Sequence, residues 1–320
     1  MSTTHTRPLA EILGRTVQPG IAPTPRAAFI LEKPARDRIV LLEPALAPLF
    51  RRYVGSEDIQ RYACVPSSKY LLALPSGWTS TSCGASAAGL AGWDAIADCH
   101  PALARHLALP VADRPKNDSF WWELPADTVL PGRDRAVITM EWNRTLLWCT
   151  RTPVGSVSAA EWIDCDADWV LGYLNALPVQ RYIQAARAAN PRWTPALLDQ
   201  LPVPTLLVDD PTLTELAAQN ARLHQERVQL LHDGLATLIR NFAPLGAQPT
   251  APLQRWVELD YPALNKALAK AFRNDIPIAV QPQWQQWHEL QRQRYSELSQ
   301  QVSFVDGALT KAVTRQLPLE

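Results

Sequence analysis

Apolar positions in the first two thirds of the chain come in short runs broken by turn residues. Arg38–Leu42, Lys69–Leu74 and Ala136–Trp142 are such runs, and their length and flanking residues predict short strands with a few helices between them. The period changes over Trp162–Asn190, where Trp169, Leu171, Tyr173 and Leu174 lead into Tyr182, Ile183 and QAARAAN. That spacing predicts a helix at the centre of the stretch. LPVP at 201–204 is expected to stop regular structure, because each proline removes an amide donor and restricts the residue before it.

After Pro211 the pattern lengthens. Leu216, Leu223 and Leu230 recur every seven residues, and Leu231, Leu235, Leu238 and Phe242 carry the stripe onward. A helix of about thirty residues follows, with Asp209, Asp210 and Thr212 as candidate caps. A second helix is expected over Pro262–Phe272, and a third through Trp284, Trp287, Tyr295, Leu298, Val302 and Val305. The fold class is therefore α+β: a mixed α/β part with short strands, followed by a C-terminal helical arm or bundle. The expected division is an N-terminal lead-in segment (1–25), a strand-rich domain (26–205) and a helical domain (206–320).

Composition narrows the partners. The chain has 320 residues, 47% hydrophobic and 19% charged, which suits a folded globular protein. Its 31 basic residues balance its 31 acidic ones, so a diffuse attraction to nucleic acid or anionic membrane is excluded and any such binding needs a local patch. The split is even along the chain: 20 basic and 19 acidic residues to position 205, 11 and 12 after it. Arginine outnumbers lysine 25 to 6. A GC-rich genome accounts for that excess, yet arginine is also the residue suited to forked contacts with phosphate and guanine. Neither a signal peptide nor a membrane-length apolar run is evident, so a cytoplasmic location without a membrane partner is expected.

Signatures of catalysis are missing. There is no glycine-rich phosphate loop, GxSxG elbow or HExxH, and GASAAG at 84–89 has one residue too many before its last glycine. Cys64, Cys83, Cys99, Cys149 and Cys165 have no zinc spacing, and reduced, mostly buried thiols are expected. Cys83 beside Gly84 has no identifiable histidine partner, so a structural thiol is favoured over a nucleophile. Asp164, Asp166 and Asp168 start like a calcium loop, but Trp169 stands where the sharp turn needs glycine. A solvated turn with helix-capping acids is expected there. His100 and His106 are six apart, off the spacing of one helical face. Neither a metal nor a bound cofactor is expected on this chain.

Recognition chemistry is better represented. Arg51 and Arg52 are adjacent, Arg133 and Arg135 flank an aspartate after Gly132, and Arg144 and Arg151 bracket Trp148. Salt-bridged surface arginines are the plain alternative for each cluster. From residue type and loop context, Arg133, Arg135, Asn143 and Arg144 are candidates for base edges, and Arg51, Arg52, Arg61, Lys69 and Lys116 for phosphates. Trp121 and Trp122 are expected in the core rather than as stacking platforms.

In order along the chain, these landmarks resemble the TaqI-like specificity domain. That domain is the target-recognition part of single-chain type II restriction-modification enzymes and related DNA adenine methyltransferases. The resemblance covers about residues 9–319. It begins in LAEILGRTVQPGIAPTPRAAFIL and continues through EPALAPLFRRYVGSEDIQRY at 43–62, HPALARHLAL, and DRPKNDSFWWEL at 113–124 with Arg114, Trp121 and Trp122 in the family's order. WVLGYLNALPVQRYI, LPVP and the tail VDGALTKAVTRQLPL complete it, although the family's Tyr-Gly is absent. The fused enzymes carry a methyltransferase ahead of this domain. Neither a glycine-rich cofactor motif nor Asn-Pro-Pro-aromatic occurs here, since Asn190-Pro191 continues with Arg192.

The resemblance implies a non-catalytic specificity subunit that binds double-stranded DNA. It would direct a separately encoded methyltransferase, restriction or phage-defence protein, with S-adenosylmethionine held by that partner. Leu216, Leu223 and Leu230 are the candidate docking seam for the partner, or for a second copy of the chain; the plain alternative is an intramolecular bundle. The alternative is a protein-binding module or inhibitor that occupies a methyltransferase's specificity site.

Overall fold

The structure is a computed structural model and describes residues 5–84, 90–108, 120–189 and 196–317. Its strands are short: β1 (Thr6–Pro8), β2 (Ile30–Glu32), β3 (Phe50–Val54), β4 (Ile59–Gln60), β5 (Ala63–Cys64) and β6 (Lys69–Leu72) come first. Later come β7 (Ile138–Asn143), β8 (Leu146–Arg151), β9 (Val157–Ser158), β10 (Glu161–Ile163) and β11 (Pro202–Pro204). They form a four-stranded sheet ordered β2-β6-β3-β9, a three-stranded ribbon ordered β10-β7-β8, and two small pairs, β1-β11 and β4-β5. All pairings are antiparallel except β3 with β9. With the long helices that follow Pro211, this is the α+β architecture that the change of period implies.

Two local expectations are corrected. Arg38–Leu42 belongs to a helix, Lys33–Leu42, with Pro34 in its first turn. Only Ile39 of its apolar residues is buried, while Leu41 and Leu42 are exposed, and Lys33 pairs with Asp37 one turn on at 2.6 Å. A run with four apolar positions is too short for period alone to separate strand from helix. Pro202–Pro204, expected to be irregular, is β11, with Val203 opposite Arg7 and Pro202 opposite Pro8. A two-stranded pair leaves each proline an outward edge where no amide is needed, and Leu9 N donates to Leu201 O at 2.9 Å to continue the pairing.

The helical part has one helix at Pro211–Phe242, a short one at Tyr261–Phe272 and a last one at Gln281–Thr314. Of the three candidate caps only Asp210 caps, accepting from Leu213 N at 2.6 Å. The Leu216, Leu223, Leu230 seam does not face outward. Leu223 and Leu230 are buried with Leu298, Val302 and Val305 of the last helix, and Leu216 packs at the edge of the same cluster. The seam is thus an intramolecular core, which corrects its reading as a docking surface. Gly234 is required here, because a Cβ would lie 2.0 Å from the Trp256 ring that packs across it.

The core crosses the boundary expected at 205. Trp169, Tyr173 and Val203 pack with Leu213, Ala217, Leu309 and Val313 in one buried cluster. Gly172 permits this approach, since a Cβ there would meet Ala217 Cβ at 2.7 Å. Polar groups tie the β4-β5 hairpin to the long helices as well. Gln225 brackets the backbone of Cys64, with both bonds at 3.2 Å, and Arg61 reaches Asp306 at 2.5 Å and Asn175 O at 2.9 Å. A separate cluster under the four-stranded sheet holds Phe29, Leu71, Ile96, Leu103 and Trp122. Trp122 is core, as expected, with its indole N–H on Thr79 Oγ1 at 2.8 Å. Trp121 is half-buried beside it.

Candidate nucleic-acid interface

Antiparallel pairing of β7 and β8 sets Ile138 opposite Arg151 at one end and Asn143 opposite Leu146 at the other. At the first end the chain enters β7 from the loop 131–137 and leaves β8 into the turn 152–156. Backbone bonds lace these segments together: Thr152 N to Val137 O and Gly155 N to Arg135 O, both 2.9 Å. Gly155 has φ +73°, and a Cβ there would stand 2.7 Å from Arg133 O, so no other residue fits without displacing the loop.

Arg51 organises this end from below. It lies on β3, is 4% exposed, and donates Nε to Gly155 O at 2.9 Å and an Nη to Pro131 O at 3.0 Å and Gly132 O at 3.5 Å. Burial, and then the neighbouring Arg133, lowers its pKa. A guanidinium enclosed by three carbonyls has no face for a DNA phosphate, so Arg51 is an internal clamp and not a phosphate contact. Arg52, the next residue, is exposed, and its side chain takes part in no hydrogen bond or ion pair with the described residues.

The clamped loop presents Arg133 and Arg135. Arg133 donates to Pro48 O and is otherwise exposed. Arg135 stands 3.5 Å from Asp164, which also pairs with Arg15 at 2.7 Å, and Arg151 pairs with Asp168 at 2.9 Å and donates to Asp166 O. Arg15, Arg135, Asp164 and Asp166 line a cleft of about 390 Å³. The acidic run is therefore neither a free turn nor a calcium loop: two of its carboxylates already have guanidinium partners. Asp168 lies in the first turn of the helix Asp168–Asn175, behind Ala167 at the cap. Among the described residues no group of His, Cys, Asp and Glu could hold a metal ion.

The remaining candidates are scattered. Asn143 and Arg144 sit at the far tip of the ribbon, where Arg144 has φ +55° in a two-residue turn. Ile138 to Asn143 spans roughly 17 Å of strand, so the four base-edge candidates form two poles and not one cluster. Near the tip, Arg187 lies over the Trp142 ring at 3.9 Å. Arg61 is engaged by Asp306 and Asn175 and stacks on Tyr62 at 5.2 Å. It ties the hairpin to the helices, which corrects its phosphate assignment. Lys69 pairs with Glu57, and that bond raises its pKa. Lys116 and Arg114 lie outside the described residues.

Sequence reasoning missed Arg15 and the Asp164 bridge, because 149 residues separate them and no local pattern joins them. Among the described residues, the cysteine and histidine candidates have other surroundings than a nucleophile and its base would need. The Cys83 pKa is pushed up to about 11, by burial and then by Cys99, opposite to what a nucleophile needs. His100 lies 3.3 Å from Glu43. His106 hydrogen-bonds Ala28 O at 2.9 Å, and burial lowers its pKa.

Comparisons with known proteins add little detail. Residues 209–313, from the start of the first long helix almost to the end of the last, match a family described as a domain of unknown function, DUF8810. No curated protein matches. Among solved structures, the chain is weakly similar to one described as the type IIL restriction-modification enzyme MmeI in complex with DNA, at 12% identity and a TM-score of 0.33. The match covers 88% of this chain and 36% of the other, so this chain spans little more than a third of that protein's length. Among the described residues no helix is long and apolar enough to cross a membrane.

Proposed function

We propose that the chain is a DNA sequence-recognition subunit. It directs a separately encoded methyltransferase, restriction or related defence enzyme to its target and performs no covalent step itself. The observation that carries this reading is the arginine-bearing end of the β7-β8 ribbon, where Arg52, Arg133 and Arg135 reach the surface from segments about eighty residues apart, held by a buried arginine. Such a fixed set of guanidinium forks suits base edges and phosphates. The partner then binds S-adenosylmethionine and supplies the chemistry, while this chain supplies register and orientation on the duplex.

With equal numbers of acidic and basic residues, the chain alone binds DNA weakly and in a salt-sensitive way, since affinity is largely phosphate neutralisation. The test is fluorescence anisotropy on a labelled random-sequence duplex across a salt series. Lys116→Ala, at a phosphate candidate, should weaken all sequences similarly and reduce the salt slope by about 1. Methyl transfer from radiolabelled S-adenosylmethionine to DNA by the purified chain alone would overturn the non-catalytic role.

A further inference from the structure

A second cleft, of about 370 Å³, opens beside the arginine end between β3, the stretch Cys64–Ser67 and the turn that follows β8. Its lining includes two arginines, Arg52 and Arg151, and no carboxylate. Most other polar groups there are already occupied. Gln225 brackets the Cys64 backbone, Thr152 Oγ1 bonds Val137, and Ser67 Oγ accepts from Lys69 N. Three groups are left over. Arg52 is exposed and unpaired, Arg151 Nε is enclosed without a partner although an Nη of the same group holds Asp168, and the Oγ of Ser156 is enclosed without one in a residue 1% exposed.

Buried polar groups in folded proteins nearly always find partners, and three potential donors around one cleft that lacks an acidic side chain call for an acceptor from outside. Guanidinium groups favour an anion whose oxygens point several ways, which is phosphate chemistry. We propose that this cleft is a phosphate site that takes a backbone phosphodiester of DNA, with Arg52 and Arg151 as cationic partners and Ser156 as a neutral one. The choice of DNA as the source rests on the proposed function; the phosphate chemistry rests on the cleft alone.

The test uses the full chain, with inorganic phosphate and a fluorescein-labelled duplex as separate probes, and thermal melting to confirm folding. Arg52→Ala and Ser156→Ala should each weaken duplex binding at least threefold. Only Arg52→Ala should also flatten the salt dependence, by about one unit of slope, and Arg52→Lys should recover part of the loss. Inorganic phosphate should compete only at millimolar concentration. If Arg52→Ala weakens binding and Ser156→Ala does not, Arg52 is an ordinary surface cation and the cleft proposal falls. If duplex binding survives both substitutions, the cleft falls while DNA recognition stands. If phosphate binds in a way both variants abolish but the duplex does not bind, the cleft is a site for free phosphate and the DNA reading falls.

Discussion

Arg51 is the residue on which the arginine end depends, because it satisfies three carbonyls from two loops. Removing one partner of a buried charge-assisted network leaves the others unsatisfied, at about 1–3 kcal/mol for each such group. Arg51→Met should therefore lower the unfolding free energy by about 3 kcal/mol in urea, and speed hydrogen exchange at the Gly155 amide while leaving the long helices protected. Unchanged exchange there would mean that the loops hold themselves. From sequence, Arg51 and Arg52 looked alike. The alternation that turns one inward and the other outward is a property of β3, and the three carbonyls that receive Arg51 come from residues 80 and more positions away.

His224 makes a second residue-scale case. It is buried against Tyr62 at the junction of hairpin and helix. Burial, and then Arg227 and Arg61, push its pKa down to about 3 from an ordinary 6.5. Between those values the unfolded chain takes up a proton that the folded chain does not, so stability is full above pH 6.5 and falls as pH drops. By pH 5 the loss from this group amounts to about 2 kcal/mol. Burial also lowers the pKa of His106 and His288, so the isolating measurement compares wild type with His224→Gln in urea at pH 7 and pH 5. A smaller loss in the variant is expected, and equal losses would rule out His224 as a source.

At the scale of elements, what the sequence disclosed depended on the length of the pattern. The helix Pro211–Phe242 was legible to within a residue or two, because a stripe sustained over eight turns has only one explanation and Asp210 with Pro211 marks its start. Short runs carried no such redundancy: Lys69–Leu74 holds the strand expected of it, at Lys69–Leu72, while Arg38–Leu42 became the end of a helix. Nor could period say what the Leu223 and Leu230 seam faces, since a partner and the chain's own last helix present the same apolar surface. The bundle's tightest point tests that packing. Gly234→Ala drives a methyl into the Trp256 ring, and overpacking of this kind costs about 1–3 kcal/mol. The expected result is a lower melting temperature with an altered near-ultraviolet tryptophan signal. An unchanged spectrum would mean that Trp256 does not lie across Gly234.

For the whole molecule, the decisive geometry is the length of the ribbon. Arg133 and Arg135 lie before β7, and Asn143 and Arg144 lie at its other end. Roughly 17 Å of strand separates these poles, about five base-pair steps at 3.4 Å each. A strand cannot shorten, so the two poles cannot read the same base pair. If both face DNA, they read positions about five steps apart; if one faces away, only the other carries specificity. Selection from a random duplex pool by the complex with the methyltransferase proposed as its partner distinguishes these cases. Arg135→Ala should relax preference at one position by about 1–3 kcal/mol. Arg144→Ala should relax a position about five base pairs away, or none if the tip faces solvent. Relaxation of one shared position by both substitutions is incompatible with an intact β7-β8 ribbon, and would remove the base-reading assignment from both poles at once.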